Sequence, residues 1–305
     1  MKYNFLPVLV VMSFLFFMVS CKKGSTTMED RTVFQDLNVN TPEVTLYARV
    51  AGNLHSGNAL IAIHGGPGNS SDYMVSLGQL AGDDLAVVIY DQRGTGRSTD
   101  PGNDPANYTQ LKYVEDLEAV RAAAGIERVF IMGHSWGGVV AQRYATLYPH
   151  RVRALILMGS GAPSMQAAMA AQQNKLQRIA NLQAQRIIPA QITGVQDILP
   201  AYFSDPYFGL PAEMKPLFYN GAVEQLTWQA LGNFDFTAET KKLALPVLVL
   251  YGKDDPFGMT MVDAVVSAWS SAEVELVLLD KCGHYWHECP DQFFPSVRDY
   301  LKDTR

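Results

Sequence analysis

Basic residues are scarce in this sequence: 24 Lys and Arg stand against 30 Asp and Glu, and no run of like charges occurs along its 305 residues. A protein that binds nucleic acid needs a basic face, so nucleic acid is excluded as a partner. Internal repeats are absent too, and the one compositional bias is a stretch rich in Ala and Gln. Hydrophobic residues make up 48% of the chain, which is enough for a well-packed globular core.

Long apolar runs are equally scarce. The run at residues 5–19 follows Lys2 and is shorter than the ~20 residues of a membrane-spanning helix. Together with the small residues after it, this run predicts a signal peptide over residues 1–20. The stretch Met18-Val19-Ser20-Cys21 resembles the lipobox of bacterial lipoproteins. The resemblance implies that Cys21 carries a lipid anchor in a bacterial cell envelope, with residues 21–30 as a tether. An ordinary signal peptide with a chance cysteine is the alternative.

Short apolar runs alternate with helical patterns through most of the remaining chain. Two β-rich segments within residues 32–50 flank a turn and predict an antiparallel hairpin. The alternation as a whole predicts a mostly parallel sheet flanked by helices. The predicted strands are residues 59–63, 85–90, 129–132, 154–158, 246–251 and 274–279, and the predicted helices are residues 111–124, 139–147, 260–269 and a last one from about residue 290.

Residues 161–244 interrupt this alternation. A helical stretch over residues 164–186 is followed by an aromatic and proline-rich segment in which no strand is predicted. A helical insertion before the last two strands predicts a lid over the active face, with residues 31–160 and 245–305 as the two parts of the core. A flexible linker is the alternative, but aromatic residues such as Trp228 and Phe234 favour a packed unit.

The strongest chemical signal is Gly133-His134-Ser135-Trp136-Gly137, directly after one predicted strand and directly before a helical segment. A sharp strand-to-helix turn of this kind exposes a serine hydroxyl at the edge of an α/β-hydrolase sheet. Serine is a poor nucleophile unless a base takes its proton and a third group orients that base. The pattern therefore predicts that Ser135 is a nucleophile and that an acid and a histidine follow later in the chain.

Both partners are found after later predicted strands. Asp254 and Asp255 follow the strand at residues 246–251, and either carboxylate could reach an imidazole from a loop of this length. His284 follows the last strand, while His287 lies three positions further on. The candidate base is therefore His284. His284, His287 and Glu288 lack the i, i+4 spacing of a helical zinc site, so we expect neither a metal nor a cofactor.

His64-Gly65-Gly66-Pro67-Gly68 follows the strand at residues 59–63. Glycines let backbone N–H groups approach a ligand closely, and in this fold the loop lies beside the nucleophile turn. We expect the N–H groups of Gly66 and Trp136 to form the oxyanion hole. A plain Gly/Pro turn is the alternative reading of the loop by itself.

The stretches His64 to Gly68, Asp91-Gln92-Arg93-Gly94-Thr95-Gly96-Arg97-Ser98 and Ser135-Trp136-Gly137 together resemble the proline iminopeptidase branch of the α/β hydrolases. The resemblance implies removal of an N-terminal residue from peptides without a metal or cofactor. It also implies that Asp255 is the acid, through the pattern Gly-x-x-Asp-Pro, and that Asp91 pairs with Arg97 to buttress the oxyanion loop.

The insertion departs from that branch, whose members have a longer lid carrying Trp-x-x-Trp-Glu. Here the corresponding stretch is Thr227-Trp228-Gln229-Ala230. A lid carboxylate such as Glu213 or Glu224 could hold the substrate amine instead, or each could be a solvated surface charge.

The sequence therefore predicts a serine hydrolase that forms an acyl-enzyme with a small peptide or small acyl substrate. The first interpretation is an aminopeptidase of proline iminopeptidase type, and the alternative is a carboxylesterase or lactonase. A lipoprotein that only binds a ligand is less well supported than either enzyme. Besides Cys21 the chain has two cysteines, Cys282 and Cys289, on either side of His284. A disulfide and two buried thiols are both compatible with this spacing.

Overall fold

The structure is a computed structural model and describes residues 33–304. The predicted signal peptide, Cys21 and the tether lie outside the described residues. Within residues 33–304, no helix is both long and apolar enough to cross a membrane.

Eight strands form one sheet in the order β1-β2-β4-β3-β5-β6-β7-β8. β1 pairs antiparallel with β2, and β2 with β4, whereas all other neighbours are parallel. The predicted hairpin and the predicted parallel sheet are therefore both confirmed. The strands are β1 Gln35–Asn40, β2 Thr45–Ala51, β3 Ala59–Ile63, β4 Ala86–Tyr90, β5 Val129–His134, β6 Val152–Met158, β7 Val247–Gly252 and β8 Val274–Leu279.

Helices cover both faces of this sheet. The α-helices of the described residues are α1 Gln110–Ala123, α2 Trp136–Leu147, α3 Met165–Ala184, α4 Val195–Ile198, α5 Gly221–Leu231, α6 Thr237–Thr240, α7 Gly258–Ala268 and α8 Pro290–Asp303. Short 3-10 helices are Leu54–Ser56, Ser71–Leu80, Pro105–Tyr108, Pro149–Arg151, Leu199–Tyr202, Ala212–Met214 and Trp286–Glu288.

The strands β3, β4 and β7 contain no charged residue, because both of their faces are covered. Along β3, Ile61 and Ile63 belong to the hydrophobic core that includes residues of α1 and α2, whereas Leu60 and Ala62 belong to the core that includes residues of α8. Each buried Leu or Ile side chain stabilises the fold by ~1.5–3 kcal/mol. The two cores fix the sheet, so the loops at its edge have a rigid base.

The register of the parallel strands brings the candidate loops together. Ile63 of β3 lies opposite Gly133 of β5, so the glycine-rich loop begins beside the serine turn. Gly252 of β7 lies opposite Leu279 of β8, so the loops of Asp255 and His284 begin side by side. All four loops leave the carboxyl edge of the sheet, where ligands bind in open α/β sheets.

Residues 159–246, between β6 and β7, are called the insert below. This part of the described chain contains α3, α4, α5, α6 and two 3-10 helices but no strand. It is packed onto the core: Tyr113 of α1 and Thr227 of α5 share a buried hydrogen bond of 2.7 Å.

Candidate active site

Ser135 occupies the turn between β5 and α2, with φ 56° and ψ −119°. A positive φ costs a non-glycine residue of order 1–3 kcal/mol and is typical of functional turns. The turn is also tight, because a Cβ atom on Gly137 would lie 2.1 Å from the carbonyl oxygen of Ile63 in β3. The spacing of glycine and serine in the sequence is thus explained by the close approach of α2 to the neighbouring strand.

Asp255 and His284 are in direct contact. His284 Nδ1 and Asp255 Oδ2 are 2.7 Å apart, and both side chains are buried. The backbone N–H of Phe257 donates to Asp255 Oδ1 at 2.9 Å, which fixes the carboxylate. Asp254 points elsewhere and accepts a hydrogen bond from Ser204 Oγ at 2.6 Å. Of the two aspartates that the sequence leaves open, only Asp255 is brought to His284.

The loop that carries His284 is held mainly by the backbone of the insert and by Glu288. The His284 N–H donates to the carbonyl of Tyr202 at 2.7 Å. The Glu288 carboxylate accepts hydrogen bonds from the N–H groups of Ser204, Asp205 and Gly283 at 2.7, 2.9 and 2.8 Å. Burial raises the pKa of Glu288, and these three hydrogen bonds oppose that rise. Glu288 therefore joins the insert to the histidine loop, a role that its sequence position does not indicate.

Cys282 and Cys289 are joined by a disulfide bond, with Cα atoms 5.6 Å apart. Both residues are buried in the core on the α8 side of the sheet. The bond closes a short loop that contains His284, so it limits the conformations open to that loop.

The glycine-rich loop after β3 lies against the serine turn. A Cβ atom on Gly65 would lie 3.0 Å from Cβ of Ser135. Gly66, Ser135 and Trp136 line one cavity. Because Trp136 is the first residue of α2, its N–H has no carbonyl partner within the helix. The Trp136 N–H is thus left without a helix partner beside Ser135, in the cavity that Gly66 also lines.

The predicted pairing of Asp91 with Arg97 is confirmed. The Arg97 N–H donates to Asp91 Oδ2 at 2.9 Å, and the guanidinium Nε lies 3.4 Å from the same oxygen. Ser71 donates to Oδ1 through both its N–H and its hydroxyl. Burial would raise the pKa of Asp91, but these hydrogen bonds outweigh burial and lower it below the ordinary value.

Gln92, next to Asp91, contacts both the glycine-rich loop after β3 and Trp136. Its side-chain nitrogen Nε2 donates to the carbonyl of His64 at 2.8 Å, and its side-chain oxygen Oε1 accepts from Trp136 Nε1 at 2.9 Å. The loop after β3 and the first residue of α2 are therefore fixed by one side chain.

His134, within the serine motif, forms a hydrogen-bonded chain that sequence reasoning missed. The Gly65 N–H donates to Tyr73 Oη at 2.7 Å, and Tyr73 Oη lies 2.7 Å from His134 Nδ1. His134 Nε2 lies 2.9 Å from the carbonyl oxygen of His284, so this nitrogen carries the proton. Burial lowers the pKa of His134 well below its usual value, which keeps the ring neutral. These hydrogen bonds connect the glycine-rich loop after β3 to the backbone of the loop that carries His284.

Two cavities of about 370 Å³ each meet at Ser135. The cavity that His284 lines is called the polar lobe below; polar residues such as Asn69 and Thr193 line it beside aliphatic ones such as Ile198. The apolar lobe is lined by hydrophobic side chains, among them Trp136, Val139, Met165, Trp228, Phe234 and Met261. Five residues line both lobes and form their junction: Gly66, Ser135, Lys175, Tyr202 and Glu224.

Of the two carboxylates of the insert considered from sequence, the structure brings only Glu224 to this junction. Glu224 accepts hydrogen bonds from the hydroxyl of Tyr219 and, at 3.5 Å, from Trp228 Nε1. Glu213 instead lies 3.8 Å from His287 Nε2. Glu224 and Trp228, which lie four positions apart on α5, therefore belong to the same side of the cavity.

The remaining histidines have other surroundings. His55 and His150 are exposed. His287 donates to the carbonyl of Tyr73 at 3.0 Å, and burial lowers its pKa to about 4 although Glu213 opposes this. Within residues 33–304, no group of three or more His, Cys, Asp or Glu side chains could hold a metal ion.

Residues 58–288 match the family described as alpha/beta hydrolase fold. This match covers most of the chain, so the protein belongs to the alpha/beta hydrolase family and is a hydrolase. The predicted fold class is thereby confirmed.

Within this family, the chain is similar to proline iminopeptidases in sequence, and to a peptidase and an esterase in structure. The proline iminopeptidase of Lactobacillus delbrueckii subsp. bulgaricus is 30% identical over 264 residues, which are 78% of this chain and 87% of that protein. The structure of Mycobacterium smegmatis proline iminopeptidase has a TM-score of 0.66 and 22% identity, over 88% of this chain and 98% of that one. An esterase from Exiguobacterium antarcticum also has a TM-score of 0.66, with 18% identity over 88% of this chain and 100% of that one. The two solved structures share the fold, and it serves a peptidase and an esterase alike.

Proposed function

We propose that the protein is a serine hydrolase that works through an acyl-enzyme, with Ser135 as nucleophile, His284 as general base and Asp255 as the group that orients the base. The contact between Asp255 and His284, beside the strained turn of Ser135, is the observation that carries this proposal. An aspartate on Nδ1 leaves Nε2 free to accept the serine proton and stabilises the imidazolium that results.

The reaction then has two balanced halves. Ser135 Oγ bonds to the substrate carbonyl carbon as its proton moves to His284, and the N–H groups of Gly66 and Trp136 stabilise the oxyanion. His284 gives that proton to the leaving amine or alcohol as the bond to the carbonyl carbon breaks. In the second half, water loses a proton to His284 and attacks the acyl-enzyme. The acid product leaves, and the proton returns to Ser135.

We propose an aminopeptidase of proline iminopeptidase type as the leading substrate class. Glu224 supports it, because its carboxylate lines both lobes together with Ser135 and would pair with the free amine of an N-terminal residue. The relatives named proline iminopeptidase support the same choice. The insert would then act as the lid of the site.

A carboxylesterase or lactonase is the second candidate, and the apolar lobe favours it. The hydrophobic side chains around this lobe would hold an acyl chain without any need for an amine. A panel of aminoacyl naphthylamides beside short acyl esters separates the two. Turnover of naphthylamides is expected for the peptidase, whereas turnover of esters alone would overturn it.

We also propose that Cys21 anchors the protein to a membrane of a bacterial cell envelope, on the basis of the lipobox resemblance. Several acyl chains on one cysteine give stable anchoring, which a single chain does not. Cys21→Ser should move the full chain from the membrane fraction to the soluble fraction. Continued sedimentation of the variant with membranes would contradict the anchor.

A further inference from the structure

Lys175 of α3 is the one cationic side chain among the five junction residues, and the proposed reaction does not use it. It is half-buried, and its ammonium donates a hydrogen bond to Tyr202 Oη at 3.2 Å. The ammonium also lies 5.6 Å from the ring centroid of Tyr202 and 5.4 Å from that of Phe257. Both rings contact the ring of His284, so the cation is one aromatic layer away from the proposed base.

The ammonium is incompletely satisfied. It has three N–H donors, and Tyr202 Oη is its single hydrogen-bond acceptor in the part of the chain that the structure describes. Glu224 faces the same junction, but no ion pair within 4 Å joins Lys175 to it among the described residues. Burial lowers the pKa of Lys175, which Glu224 opposes. A half-buried cation with free donors, beside a cavity, is suited to an anionic ligand group.

The two lobes indicate where that anion would be. His284 lines the polar lobe and not the apolar lobe, so the leaving group that it protonates belongs in the polar lobe. The acyl part, which carries the amine next to Glu224, then belongs in the apolar lobe. In a dipeptide the leaving group is a free amino acid, whose carboxylate is attached to the carbon next to the leaving nitrogen. That carboxylate would therefore stay close to the junction, where Lys175 is, whereas a longer peptide carries its carboxylate away from it.

We propose that Lys175 binds the free carboxylate of the leaving residue, so that dipeptides with an unblocked C-terminus are the preferred substrates. This inference rests on the proposed aminopeptidase function. Glu224 and Lys175 would together match the two charges of a zwitterionic dipeptide, one on each side of the bond that breaks.

The test uses the N-terminal residue whose naphthylamide is cleaved fastest. Three peptides that begin with this residue are compared: the dipeptide with glycine, the C-terminal amide of that dipeptide, and the tripeptide with two glycines. The wild type should cleave the dipeptide with kcat/KM about tenfold or more above the amide and the tripeptide, as expected for hydrogen bonds to a charged group. Lys175→Met should bring this ratio close to one.

Lys175→Arg keeps the charge and should retain most of the ratio, which separates loss of the cation from loss of the fold. Lys242→Met changes an exposed lysine of the insert and should leave the ratio as in the wild type. A ratio near one in the wild type, or an unchanged ratio in Lys175→Met, would overturn the inference while the peptidase function stands. If no naphthylamide or peptide is cleaved at all, the peptidase function fails and the inference fails with it.

Discussion

The two sides of the cleft at Ser135 are built differently. On the core side, Gly66, Ser135 and Trp136 present backbone groups and one hydroxyl from short turns at strand ends. On the insert side, Lys175 and Glu224 present long charged side chains from helices. Backbone groups on a rigid sheet serve any carbonyl substrate, whereas charged side chains on helices select among substrates. Changes on the core side should thus affect every substrate, and changes on the insert side only some.

The largest expected effect is that of Asp255→Asn, which should lower kcat on every substrate on the order of 10⁴, as for the acid of the serine protease triad. Asp254→Asn is the matched control, because that carboxylate contacts Ser204 instead of His284. Steady-state kinetics on one naphthylamide and one ester measure both variants. A larger loss in Asp254→Asn would show that the wrong carboxylate has been assigned.

On the insert side, Glu224→Gln should raise KM for aminoacyl naphthylamides by about 10–100-fold, because hydrogen bonds to charged groups contribute ~1.5–3 kcal/mol. Short acyl esters have no amine and should be affected much less. Glu213→Gln, which changes the carboxylate near His287, is the control. Equal losses on both substrate types would remove the distinction between the two sides.

Loss of the disulfide should have a smaller effect on activity. Replacing Cys282 and Cys289 by Ala should lower stability by roughly 2–3 kcal/mol, since the bond closes a short loop. The midpoint of thermal unfolding should fall by roughly 5–10 °C. Activity below this midpoint should drop severalfold, because the loop of His284 gains freedom. In the unreduced wild type, both cysteines should resist alkylation under denaturing conditions, and alkylation of both would contradict the bond.

The smallest effect on activity is expected for a substitution of His287. Burial lowers the pKa of this histidine to about 4. The unfolded chain binds a proton there near pH 6.5 and the folded chain only near pH 4, so stability falls as the pH drops through this window. The contribution of this one group is about 3 kcal/mol at most. Denaturant unfolding of wild type and His287→Gln at pH 7 and pH 4.5 should show a shallower pH dependence in the variant. Identical slopes would contradict the assignment.

The core side was predictable because its signals are local. The apolar runs of β3 to β7 are long enough to show burial on both faces, and the glycines around Ser135 are required by close backbone contacts. The largest boundary error is at α2, which begins at Trp136, whereas the sequence predicts a helix from residue 139. Gly137 and Gly138 are poor helix formers, but the tight turn requires the helix to begin directly after Ser135.

The insert side was not predictable in the same way. Glu224 is one of two candidate carboxylates in the sequence and Lys175 looks like an ordinary surface charge; only tertiary packing selects Glu224 and brings both to one junction. His134 occupies a variable position of its motif, so its contacts to Tyr73 and to the loop of His284 have no sequence signal. Asp254 and Asp255 are adjacent, and the choice between them depends on the direction in which each side chain leaves the turn.

The central claim is that Ser135 is an activated nucleophile, and covalent labelling with a fluorophosphonate tests it most directly. The wild type should be labelled at one site, with the adduct mapped by peptide mass spectrometry to Ser135. Ser135→Ala, shown by circular dichroism to be folded, should remain unlabelled, as should heat-denatured wild type. Equal labelling of wild type and Ser135→Ala would contradict the account.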